Sequence, residues 1–168
     1  MINRDNPRPW GASEQEALDF LARRALDEDL AGPGNHRGDA TSQALVPESL
    51  QGQAYFVSRV EGRVAGLPAL ASVFALVDSR VEVVVMAAEG GPIRPGDRLA
   101  KVAGPMRALL TAERTALNFL QRLSGVASQA EKYCRLVNDL PCVVLDTRKT
   151  TPGWRALEKY AVRCGGGT

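Results

Sequence analysis

Aromatic residues are scarce in this chain, at 5% of 168 positions. Aliphatic side chains must therefore fill whatever core it builds. Histidine is scarcer still: His36 is the single one, and the three cysteines, Cys134, Cys142 and Cys164, show no Cys-x-x-Cys spacing. A structural zinc site of the usual ligand spacing is excluded, and an odd cysteine count gives no disulfide framework. The expected compartment is a reducing cytoplasm. Excess charge of one sign is also lacking, with 21 basic against 19 acidic residues. No bulk field favours nucleic acid, so any anion site must be local. No apolar run reaches the ~18 residues of a membrane helix. The first residues, Met1-Ile-Asn-Arg-Asp-Asn-Pro-Arg8, lack the apolar core of a signal peptide.

What is present is aliphatic and patterned, and 45% of residues are hydrophobic, enough for one full core. Residues 1–12 read as a loose polar arm. Ser13 with Glu16 forms a candidate capping box before Leu18, Leu21, Ala22, Ala25 and Leu26 at helical spacing. Asp27-Glu28-Asp29 then places three negative charges at a helix end whose dipole disfavours them. Residues 31–40 read as a loop rich in turn formers, with His36 as a surface side chain. Strands are expected over 51–58, 81–87 and 98–103. A strongly apolar helix over 67–77 carries Pro68 in its first turn. Strands flanking one buried helix indicate a mixed α+β layer packing. Lys101 lies inside the last of these strands and not at a hairpin tip, which disfavours a biotin or lipoate carrier.

Leu109 to Gly125 is the clearest helix, with Leu110, Leu117, Leu120 and Leu123 expected near one face. Gly125 is expected to break it, and Val126 to Leu136 to resume as a second helix. The domain boundary is expected around 104–125. Val143-Val144-Leu145 then reads as a strand running into Asp-Thr-Arg-Lys-Thr-Thr-Pro-Gly-Trp154, and Pro152 opens a last helix. A strand that delivers cations to its carboxyl end is where α/β folds bind anions. Thr147, Arg148 and Lys149 are the candidates. Arginine offers a planar fork for carboxylate or phosphate, and lysine a point charge. Local sequence leaves an ordinary solvated loop with a threonine helix cap equally open. Glu113 with Arg114 reads locally as a surface ion pair. Lys159 and Arg163 share a helix face and complement its C-terminus. Gly165-Gly166-Gly167 exceeds what a helix cap needs and points to close backbone approach to a ligand.

Three stretches together resemble one family, the quinolinate phosphoribosyltransferases, also called nicotinate-nucleotide pyrophosphorylases. They are Gly38-Asp-Ala-Thr-Ser42 with Gly62-Arg-Val-Ala-Gly66, Leu110-Thr-Ala-Glu-Arg-Thr-Ala-Leu-Asn118 with Leu123-Ser-Gly125, and Asp146-Thr-Arg-Lys-Thr150 with the glycine run. The resemblance implies an α/β fold: an N-terminal α/β sandwich, taken as residues 13–120, then the start of an α/β barrel, 121–168, truncated in this chain. It implies transfer of phosphoribose from phosphoribosyl pyrophosphate to quinolinate with decarboxylation, giving nicotinate mononucleotide for NAD synthesis. This is a pentosyltransferase of the nicotinate-nucleotide diphosphorylase (carboxylating) type. Mg2+ is implied with the donor, its protein ligands falling outside this chain. A homodimer or larger homo-oligomer is implied, in which Arg114 acts in the partner's site. Thr147, Arg148 and Lys149 match the residues lining the substrate site, with Lys149 as the catalytic candidate. The family pattern continues into an Asn-His-Arg element, a further lysine and acidic residues that are absent here. The chain alone is accordingly expected to be inactive, and residues 142–168 to pack on a neighbour or on a remainder of the barrel. A paralogue of the same fold with another substrate, or a non-catalytic assembly module, stands as the alternative.

Overall fold

The computed structural model describes residues 9–31 and 38–168. His36 and the first eight residues of the expected arm lie outside them. The rest of that arm is not loose. Trp10 meets the Tyr160 ring edge-on at 4.9 Å, and its indole N–H donates to Gln15 Oε1 at 3.0 Å. Helix α1 (Ala12–Asp29) starts one residue before Ser13. Its cap is Glu14, not Glu16: the Glu14 carboxylate turns back to accept the Gly11 N–H at 3.2 Å. Helix α2 (Ala40–Leu45) begins at the last residue of the expected loop and was not anticipated from the sequence. Asp39 caps it, accepting from the Ser42 N–H at 2.9 Å.

Strands β1 (Gln51–Val57), β3 (Glu82–Val85) and β5 (Arg98–Pro105) form an antiparallel sheet in the order β1-β5-β3. Tyr55, Lys101 and Val84 sit side by side in its register. A two-residue ribbon pairs β2 (Gly62–Arg63) with β4 (Pro92–Ile93). Helix α3 (Leu67–Val77) begins as Pro68 indicates, after Gly66 at φ +94°. A side chain at Gly66 would be strained there and would meet Leu123 Cδ1 at 2.6 Å. The Glu89 carboxylate closes the N-terminus of α3, accepting from the Gly66 and Leu67 amides.

Helix α4 (Met106–Leu136) is unbroken. Gly125 does not interrupt it, because the turns on either side are both anchored. Ser124 Oγ accepts the Ala65 N–H at 3.1 Å and Ser128 Oγ the Arg63 N–H at 2.8 Å. Leu120 and Leu123 are buried as expected, but Leu110 is exposed. Helix α5 (Arg155–Cys164) lies on α4 and α1. Leu157, Tyr160 and Ala161 enter the same core as Phe74 and Phe119. Helix α5 therefore packs on its own chain, since it has an apolar face that α1 and α4 can cover, while residues 142–153 stay mostly exposed.

No strand forms over 143–145, and Leu145 is exposed. A strand needs a partner, and among the described residues the segment meets a single peptide. Thr168 N–H donates to Val144 O at 2.9 Å and Asp146 N–H to Thr168 O at 2.7 Å. These two bonds straddle Leu145 in the pattern of parallel strands, so residues 144–168 trace a strand–helix–strand turn in outline. Among the described residues no helix is long and apolar enough to cross a membrane.

Cys164 illustrates how dry this core is. Burial first, then the neighbouring Glu89 carboxylate, pushes its thiol up to about 12. At pH 8 only about 1 in 10⁴ of such thiols is ionised. Iodoacetamide should therefore spare Cys164 in the native protein and modify it in urea. Peptide mapping that finds Cys164 alkylated natively would refute the packing of α5.

Candidate functional site

The Thr-Arg-Lys segment is a loop between the parallel-paired peptide and α5. Thr147 Oγ1 accepts the Lys149 N–H at 3.0 Å, a local turn that folds the three residues into a compact presentation. Arg148 and Lys149 are exposed, and among the described residues neither makes an ion pair. The loop's ends are held instead. Asp146 takes the Lys159 ammonium at 2.5 Å. Thr151 donates its hydroxyl to Glu158 Oε1 at 2.8 Å and its amide to Oε2 at 3.1 Å. Arg122 on α4 completes this end, reaching Thr151 Oγ1 at 2.8 Å and Glu158 Oε1 at 2.5 Å. Burial works to raise the Glu158 carboxyl. The Arg122 guanidinium and the Thr151 hydroxyl and amide outweigh it and hold the group below the usual glutamate value.

Arg114 sits elsewhere. It lines an open cleft of about 470 Å³ between α4, the end of α1 and the start of α2, with Asp29, Asp39, Thr111 and Asn118. None of Thr147, Arg148 and Lys149 lines that cleft. Arg114 Nη1 meets Asp29 Oδ1 at 3.2 Å, while Glu113 is exposed beside it. Glu113 is thus not the partner, although the two are neighbours in sequence. The pair also accounts for Asp29 at an unfavourable helix end: the guanidinium supplies what the dipole does not. Hydrogen bonds from Ser42, side chain and amide, hold the Asp39 carboxyl below its ordinary value, with smaller help from Thr111 and Arg114.

Arg163 lies in the last turn of α5, where a cation complements the helix end, and both Lys159 and Arg163 also have partners elsewhere. Lys159 holds Asp146, and Arg163 Nη2 donates to Glu14 Oε1 at 2.7 Å. The glycine run is accounted for by packing. A Cβ on Gly165 would lie 2.3 Å from Ala127 O, Gly166 has φ +89°, and a Cβ on Gly167 would lie 3.2 Å from Val144 O. Arg122 and Glu158 carry geometry that motif reading missed, and Thr151 was read only as a candidate helix cap; no local spacing signals their contact.

Two models of known families match the chain. The N-terminal domain of quinolinate phosphoribosyl transferase matches residues 39–124 and its C-terminal domain residues 126–168. The chain belongs to the quinolinate phosphoribosyl transferase family. The two matches meet inside α4, so one helix serves both parts. Among curated proteins, a probable nicotinate-nucleotide pyrophosphorylase [carboxylating] of Synechocystis is 45% identical over 149 residues, covering 89% of this chain and 48% of that protein. The chloroplastic enzyme of that name from Arabidopsis thaliana is 37% identical, covering 89% of this chain and 41% of that protein. Among solved structures, NadC of Streptococcus pyogenes superposes with a TM-score of 0.86 at 37% identity, covering 95% of this chain and 54% of that one. The chain thus spans about half the length of the relatives it matches, and the mixed α/β fold follows theirs over that half.

Proposed function

We propose that this chain supplies the first half of a phosphoribosyl-transfer site that takes quinolinate and phosphoribosyl pyrophosphate and yields nicotinate mononucleotide, pyrophosphate and CO2. The observation that carries the reading is the loop over 147–149. Its ends are tied to α4 and α5, while Arg148 and Lys149 face solvent without a carboxylate partner. Quinolinate bears two adjacent carboxylates, which suit a guanidinium fork and an ammonium. The reaction builds positive charge at the ring nitrogen as pyrophosphate leaves, so its demands are positioning and charge placement. That new charge makes loss of the adjacent carboxylate feasible. Lys149 contacts a substrate carboxylate or the incoming donor in this reading.

Arg114 lines a cleft to which the exposed loop does not contribute, which supports a homodimer in which Arg114 serves its partner's loop. The Asp29 carboxylate then occupies the guanidinium until a substrate carboxylate replaces it. No group of three or more metal-ligating side chains gathers among the described residues. In this reading Mg2+ accompanies the donor and would neutralise the leaving pyrophosphate. A cytoplasmic location belongs to the same reading; the Arabidopsis relative is named as chloroplastic.

The test is a titration of the isotopically labelled chain with quinolinate and, in parallel, with nicotinate, followed by amide NMR. Quinolinate should shift the Arg148 and Lys149 amides, nicotinate should bind more weakly, and Arg148→Ala should weaken quinolinate at least tenfold. Equal responses to both pyridines would point to a paralogue with another substrate. A stable dimer with no response would point to an assembly module. The chain alone should release no pyrophosphate above the blank.

A further inference from the structure

The cationic loop is exposed, yet at its end Glu158 is buried beneath the exposed Arg122 and Thr151. Glu158 is 8% exposed, and both its carboxylate oxygens are engaged. A glutamate in the first turn of α5 could serve the helix dipole alone. That role would require neither an arginine from another helix nor the amide of Thr151, three residues before the N-cap. Nor is stability a sufficient reason, since the Arg122 side chain is 52% exposed and a pair open to solvent on one side contributes only about 0–1 kcal/mol. What such a cluster does supply is fixed geometry. Arg122 lies on α4, eight residues beyond Arg114. Trp154, which stacks on Phe119 of α4 at 4.9 Å and 20°, donates its amide to Thr151 O at 3.0 Å. Two contacts thus register the end of the loop against one rod.

We propose that Arg122, Thr151 and Glu158 are positioning residues that lock the loop over 147–150 to α4, the helix that also carries Arg114. Both cationic elements are then referenced to the same rigid helix. The role assigned to the loop rests on the phosphoribosyl-transfer reading; the locking itself does not.

Backbone relaxation of the labelled chain tests it directly. In the wild type, order parameters over 147–151 should be near ~0.85, the value of rigid backbone, and in Arg122→Met, Thr151→Val and Glu158→Gln they should fall toward ~0.6. The Val102 and Ala65 amides should keep their shifts. Arg122 uses one nitrogen for both contacts, so Arg122→Lys should restore loop order where Arg122→Met does not. A purely space-filling role would show the reverse, because methionine preserves the bulk. Thr151 is exposed, so its variant keeps the experiment decisive if Glu158→Gln fails to fold. Unchanged order parameters and shifts over 147–151 in Arg122→Met and Thr151→Val would overturn the proposal. Variants that loosen the loop in a chain that ignores quinolinate would keep the lock and reject the substrate assignment. A quinolinate response with an unaltered loop would do the opposite.

Discussion

Gly165→Ala should unfold the protein well below the wild-type temperature, although alanine is the better helix residue. The backbone at Gly165 is ordinary, at φ −84°, so the effect is steric. The added methyl would lie 2.3 Å from Ala127 O, 2.7 Å from Ala130 Cβ and 3.0 Å from the Glu131 amide nitrogen. Two of those neighbours are backbone atoms inside α4, which cannot rotate away. Helix α5 must lift, and Leu157, Tyr160 and Ala161 lose part of their burial. Overpacking of this kind costs about 1–3 kcal/mol, sometimes more, against a gain of about 0.4–1 kcal/mol from the stiffer unfolded chain. A net loss near 2 kcal/mol lowers Tm by about 4–8 °C in a chain of this size. Gly125→Ala is the control, because nothing lies within 4 Å of its added Cβ. It sits inside α4 and should gain about 0.5–1 kcal/mol. Identical chemistry at two glycines is thus expected to shift urea midpoints in opposite directions. Equal shifts would mean that α5 does not rest on α4 as described.

That contrast shows where sequence reading works and where it stops. Helix α3 was legible because Pro68 and a continuous apolar run act within eleven residues. The strands expected over 51–58 and 98–103 form over Gln51–Val57 and Arg98–Pro105, between segments rich in turn residues. Gly125 was misleading because its consequence depends on partners sixty residues away: the hydroxyls of Ser124 and Ser128 bind the backbone of Ala65 and Arg63. Propensity describes a local cost of about 1 kcal/mol, which two such anchors outweigh. Residues 143–145 erred the other way. Their apolar run satisfies the rule for a strand, but a strand exists only as a pair.

The candidate site divides along the same line. Thr147, Arg148 and Lys149 were picked out because a contiguous motif carries its own chemistry; the structure sets them on an exposed loop and not at a strand end. Arg114 was picked out only through family resemblance, since Glu113-Arg114 reads locally as a surface pair. Its true partner, Asp29, is eighty-five residues away. The lock of Arg122, Thr151 and Glu158 was illegible for the same reason: each residue alone is an ordinary polar side chain on a helix or loop. Long-range ion pairs leave no periodic trace in sequence.

Breaking the Glu14–Arg163 pair is the second large effect to expect, and acid should reproduce part of it. The two side chains are 3% and 18% exposed and join α1 to α5 across 149 residues. Arg163 also lies 5.6 Å from the centre of the Tyr160 ring. Removing one member of a buried pair strands the other, at about 3–5 kcal/mol; the partial exposure of Arg163 places Arg163→Ala near the lower figure. Glu14→Leu with Arg163→Met removes both charges and should recover much of the loss. Burial tends to raise the Glu14 carboxyl. The hydrogen bonds from Arg163 and Ser13 more than offset that, leaving its pKa below the free value of 4.5. A depressed folded pKa contributes stability that is complete above the unfolded value and is lost as pH falls through the folded one. Wild-type stability should therefore decline below about pH 4.5 more steeply than that of the Glu14→Leu/Arg163→Met double variant, measured by urea unfolding from pH 7 to pH 3. Parallel pH profiles for the two proteins would show that this pair does not hold α5 to α1.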